Sequence, residues 1–71
     1  MKKIFDIEID CANCANLVEA AINELDGVDK ASISFITGKM KIYFTEGVDS
    51  NAVLDNIIRT AKRIEPDFAI L

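Results

Sequence analysis

The sequence predicts an α+β sandwich in which a four-stranded antiparallel sheet carries two helices on one face. Three observations predict it. Short stretches alternate apolar and polar residues with the period of a strand. Two longer stretches repeat apolar residues at threes and fours, as a helix does. Turn signals built on glycine or proline separate all of these stretches but the first two, which a change of period divides, in the order β-α-β-β-α-β.

The first strand is expected over residues 4–10, where Phe5, Ile7 and Ile9 alternate with Asp6, Glu8 and Asp10. The period changes after Cys11. Over 13–25 the residues Leu17, Val18, Ala21, Ile22 and Leu25 mark one helical face, with Asn13 placed to cap the first turn and Asp26-Gly27 to end it. A second strand follows over 28–36, with Ala31, Ile33 and Phe35 on one side. Thr37-Gly38 turns the chain, and Met40, Ile42 and Phe44 alternate through a third strand, so the two runs form a hairpin.

Glu46-Gly47 breaks that strand. Asp49 or Ser50 then caps a second helix, whose inner face is Val53, Leu54, Ile57, Ile58 and Ala61. Pro66 closes the helix, because the residue before a proline is pushed out of helical geometry, and 68–71 form a short last strand. Two strand-helix-strand units with right-handed crossovers give the ferredoxin-like sandwich. In that topology the turns at 10–14, 36–39 and 64–67 share one end of the molecule, and Glu46 lies at the other.

Seventy-one residues are expected to form one domain, 1–71. A chain this short buries only about 60% of its unfolded surface, so its core must be strongly apolar, and 51% hydrophobic residues supply that. Twelve acidic against eight basic residues give a net charge of −4, and the basic ones are scattered, which argues against nucleic acid as a partner. No run is long and apolar enough to insert in a membrane, and the charged start lacks the apolar stretch of a signal peptide, so a cytosolic location is expected.

The chemistry concentrates in Asp10-Cys11-Ala12-Asn13-Cys14. Two thiols on a strand-to-helix turn can converge on one soft metal ion, or close into a small disulfide ring. Thiolates suit Cu(I), Zn(II) and Cd(II), and the helix N-terminus favours the ionised thiol. A closed structural zinc site is excluded, since the chain has two cysteines and no histidine where four ligands are needed. An open shell suits a site that accepts an ion and passes it on. A thiol-redox role is disfavoured by the absence of Trp or Pro around the pair and by a strand order unlike that of thioredoxin.

Ile9-Asp10-Cys11-Ala12-Asn13-Cys14-Ala15, Leu25-Asp26-Gly27-Val28 and the element order together resemble the heavy-metal-associated domain, over essentially the whole chain. That family includes small copper chaperones, a mercury-binding periplasmic protein and the cytosolic N-terminal domains of heavy-metal P-type ATPases. The resemblance implies a non-catalytic module that exchanges its ion with a partner through shared cysteine ligation. Copper members usually carry Gly-Met-Thr before the first cysteine, where this chain has Glu8-Ile9-Asp10. A carboxylate there is wasted on Cu(I) but can serve Zn(II), Cd(II) or Pb(II). An aspartate at that place, and Ile64-Glu65-Pro66-Asp67, resemble the ATPases that export zinc, cadmium and lead.

The expected metal residues are therefore Cys11, Cys14 and Asp10, with Zn2+, Cd2+ or Pb2+ as the ion and Cu+ as the alternative. The expected partners are the other domains of a metal-transporting ATPase, or a metal donor or acceptor protein, and the chain is expected to be a monomer with metal-bridged dimers accessible. The alternative is a free-standing metallochaperone. Glu65 and Asp67 share the metal end but are expected to be solvated, and Met40 is expected in the core.

Overall fold

A computed structural model describes residues 2–71. Its elements are β1 (Lys2–Glu8), α1 (Ala12–Asn23), β2 (Val28–Ser34), β3 (Lys39–Phe44), α2 (Ser50–Ile64) and β4 (Ala69–Ile70). They form one antiparallel sheet in the order β2-β3-β1-β4, with the helix-facing side chains of all four strands on one core. This is the ferredoxin-like arrangement read from the sequence.

The core is the intersection of the two periodicities. Ile7, Ala31, Met40, Ile42 and Phe44 from the strands meet Ala15, Val18 and Ile22 of α1 and Val53, Ile57 and Ala61 of α2. Met40 is fully buried, as its alternation with Ile42 and Phe44 requires. Phe68, 1% exposed, seats the chain after Pro66 and so fixes where β4 begins.

Element ends differ from the sequence expectation, each for a local reason. β1 stops at Glu8 rather than Asp10, because β3 reaches only to Lys39 opposite Asp6 and β4 supplies two residues, opposite Ile7 and Glu8. Ile9 and Asp10 keep the in-out alternation, buried and exposed respectively, without a ladder partner. β2 stops at Ser34, where the Gly38 N–H turns back onto the Ser34 carbonyl at 3.0 Å, and Phe35 is left 42% exposed instead of facing the core.

Helix α1 is capped by Cys11, not Asn13, and ends at Asn23. Its buried face is Ala15, Val18 and Ile22, while Leu17 is 51% exposed. The Asn23 side chain leaves the helix for the edge strand, donating to the Ala31 carbonyl at 3.0 Å and accepting the Ala31 N–H at 2.9 Å. One turn earlier the Glu19 carboxylate accepts the Ile33 N–H at 2.8 Å. These bonds satisfy backbone groups on the outer edge of β2 that a neighbouring strand would otherwise use.

Gly27 closes the α1–β2 connection at φ +89°, in the left-handed region. A Cβ built there would lie 2.6 Å from Val53 Cγ2. The position therefore requires glycine both for conformation and for the close approach of α2.

Candidate metal site

The two cysteines occupy the first turn of α1 in distinct roles. Cys11 is the N-cap, with extended backbone (φ −136°, ψ 121°), and Cys14 is the third residue of the helix. The Cys11 sulfur accepts the Cys14 backbone N–H at 3.2 Å, and the Cys11 carbonyl accepts the Ala15 N–H at 2.9 Å. The first sulfur thus takes the place that a Ser or Asp oxygen usually holds at a helix start. It sits against the positive end of the helix, where a thiolate is favoured.

Both thiols are half-buried, and no disulfide joins them. Cys14 packs against the core. The pair titrates together. A hydrogen bond from the Cys14 thiol and another from the Cys14 N–H hold the Cys11 thiol below its ordinary value. That same thiol-to-thiol bond, then burial, then a hydrogen bond to the Glu65 carboxylate push Cys14 up to about 11. Cys11 is the sulfur that ionises first, and Cys14 holds the shared proton.

Glu65 is the residue that the sequence reading set aside. It is the C-cap of α2, half-buried, and its backbone N–H bonds the Ala61 carbonyl at 2.8 Å. Its Oε1 accepts the Asp67 N–H at 3.0 Å, which fixes the carboxylate inside the 64–67 turn. This turn meets the 10–14 loop, so Glu65 reaches Cys14 across a gap of 51 positions in sequence. The topological argument that these turns share an end pointed to it, as did the resemblance carried by Ile64-Glu65-Pro66-Asp67.

Asp10 is exposed on the bend before Cys11. Among the described residues no group of three or more His, Cys, Asp or Glu side chains converges as a metal set. The structure therefore brings together Cys11 and Cys14, places Glu65 beside Cys14, and leaves Asp10 and Asp67 exposed at the same end. Ile9, 9% exposed, packs beneath the loop and anchors it to the core. Glu46 lines a surface cavity of about 580 Å³ with Asp29 and Val48, apart from the cysteines.

An exposed turn carrying two soft donors and oxygen donors at its margin can take up a soft ion without a pocket closing over it. Such a site defines a metal-binding and metal-transfer module. Residues 4–63 match the heavy-metal-associated domain family, and the chain belongs to that family.

A curated relative, heavy metal-associated isoprenylated plant protein 45 of Arabidopsis thaliana, is 36% identical over 59 residues, which are 83% of this chain. The chain spans about a third (34%) of that relative's length. Among solved structures, the CopZ metallochaperone superposes with a TM-score of 0.73 at 22% identity, over 100% of both chains. A copper-binding domain from HMA7, a P-type ATPase, superposes at 0.71 with 26% identity, over 99% of this chain and 92% of that one. Members of the family are in general non-catalytic metal-binding modules, and among the described residues no helix is long and apolar enough to cross a membrane.

Proposed function

We propose that this chain binds a soft divalent ion (zinc, cadmium or lead) through the thiolates of Cys11 and Cys14 with Asp10 as third donor. We further propose that it delivers that ion to, or uses it to regulate, a heavy-metal-exporting P-type ATPase, as the cytosolic N-terminal domain of that pump. The domain contributes no catalysis of its own. One observation carries the reading: among the described residues, the donors that share this end of the molecule with the thiol pair are carboxylates, not further sulfur. Asp10 stands directly before Cys11, the Glu65 carboxylate lies close enough to Cys14 to push its thiol up, and Met40 is sealed in the core. Carboxylates complete a shell for Zn(II), Cd(II) or Pb(II), and add little for Cu(I), which takes sulfur.

The exposure of Asp10 supports its role, because an exposed side chain one residue from the first sulfur is at liberty to swing inward when an ion arrives. The fourth position is left to water or to a partner's ligand, which is what a transfer site needs.

A second reading, a free-standing carrier of Cu(I), is favoured by a separate observation: the structural neighbours named above are a metallochaperone and a copper-binding ATPase domain. A competition titration of the reduced domain with Zn(II) and Cu(I), run in parallel on Asp10→Ala, separates the two. Zinc affinity falling at least about tenfold in the variant, with Cu(I) indifferent, supports the divalent reading. No change for either metal removes Asp10 from the shell and favours the copper carrier.

A further inference from the structure

The open face of the sheet, away from both helices, has a charge opposite to that of the rest of the molecule. Strand register places its side chains in rows. Lys2, Tyr43 and Lys30 form one, Ile4, Lys41 and Ser32 the next, and Asp6, Lys39 and Ser34 the third. Glu8 continues the β1 side of this face. Four lysines against Asp6 and Glu8 leave the face at +2, so the remainder of a chain of net charge −4 carries −6.

Two features make this more than a solvated surface. A cavity of about 470 Å³ lies on it, lined by Ile4, Ser32, Ser34, Thr37, Lys39 and Lys41. Its lining offers hydroxyls and ammonium groups around one apolar side chain, Ile4, which is 53% exposed. Lys39 is neutralised by an ion pair with Asp6. Lys41 is not: it stands on a central strand between Ile4 and Ser32, and among the described residues it has no carboxylate partner.

We propose that this face docks an acidic, extended segment of a partner protein, a carboxylate of which pairs with Lys41 while a neighbouring aliphatic side chain covers Ile4. Charge complementarity selects an acidic occupant. The interspersed Asp6 and Glu8, and the small excess of +2, disfavour a bilayer or nucleic acid, which reward dense positive charge. A second copy brings another net −4 and meets general repulsion. The face lies across the sheet from α1, so an occupant there leaves Cys11 and Cys14 uncovered, and a partner could hold the domain while its ion moves.

The test is a titration of the 15N-labelled domain with a short blocked peptide of alternating glutamate and leucine, at low and at raised salt, with a lysine–leucine peptide as control. The expected result is amide shifts centred on Ile4, Ser32, Ser34, Thr37, Lys39 and Lys41, weakening with salt, with Lys41→Glu lowering affinity about tenfold or more. Lys41→Gln, which adds no repulsion, is expected to lower it several-fold and stands in should Lys41→Glu not fold. The proposal is overturned by any of these results: shifts centred on Lys62 and Arg63, equal response to the control peptide, or unchanged affinity in the folded variants. It is equally overturned if the same shifts arise from raising the domain concentration alone, or if phosphatidylserine vesicles bind the face and the peptide does not.

Discussion

Cys11 has two duties, as the cap of α1 and as a metal donor, and substitution separates them. Serine is a good N-cap and a poor soft-metal ligand, so Cys11→Ser should abolish tight metal binding while leaving the urea midpoint of the metal-free domain unchanged or slightly raised. Cys11→Ala removes the acceptor of the Cys14 N–H, and is expected to cost about 0.5–2 kcal/mol of stability as well. A drop in midpoint for the serine variant equal to that for alanine would contradict the capping role. The proton inventory gives a second expectation. Loading must displace the proton that Cys14 holds up to about pH 11, and at lower pH the Cys11 proton also. Both release protons on binding, so affinity rises with pH. The slope should lie between about ten- and a hundredfold per pH unit across the neutral range, measured with a competing chelator of known pH behaviour. A flat profile would mean that the thiols are not the donors.

At the scale of elements, α1 is tied to the edge of the sheet by side chains as well as by apolar packing. Asn23→Ala deletes the exchange with Ala31 and the bond to the Glu19 carbonyl, while gaining helix propensity at one position. The net loss expected is about 1–2 kcal/mol, visible as a lower denaturant midpoint at constant slope. Freed Ala31 groups on the edge should also accelerate its amide exchange relative to that of Ile42 at the sheet centre. Gly27→Ala is expected to cost about 1–3 kcal/mol, from the positive φ and the Val53 contact together. These ties explain what was legible in the sequence and what was not. Periodicity revealed every element and the centre of each helix face, Val18 and Ile22 on α1 and Val53, Ile57 and Ala61 on α2, but it placed the exposed Leu17 inside and missed Ala15. It misplaced ends, since these depend on partners distant in sequence: Glu8 opposite Ala69 is the last pair of β1, and Asn23 captured by Ala31 closes α1. That Cys11 and Cys14 share the first turn of α1 was legible from their spacing and position together. Cys11 as a cap was not, because sulfur is an unusual acceptor there, and the Glu65 contact with Cys14 depends on a turn 51 positions away.

For the molecule as a whole, the question is whether the metal is part of the fold or is carried by it. In small metal-dependent domains the ligands replace a core, and the chain unfolds without the ion. Here the core is continuous without the site. Val18, Ile22, Met40, Ile42, Ile57, Ala61 and Phe68 are all at or near zero exposure, whereas the two thiols are half-buried at one end, above Ile9. The metal-free reduced domain is therefore expected to unfold cooperatively, with well-dispersed amide resonances before any ion is added. Zinc should then raise stability only through mass action, by about 2.7 kcal/mol at a free concentration one hundred times the Kd, and an excess of chelator should return the melting curve to the metal-free one. The Cys11→Ser, Cys14→Ser double variant should show the metal-free curve at every zinc concentration. If the metal-free protein instead melts without cooperativity, the ion is structural. An ion that completes the fold is not readily given up, so delivery to a partner would then lose its physical basis. A rigid metal-free state permits delivery: the ion leaves without unfolding the domain, and the same Cys11–Cys14 turn, held by Ile9 and the first turn of α1, is ready for the next one.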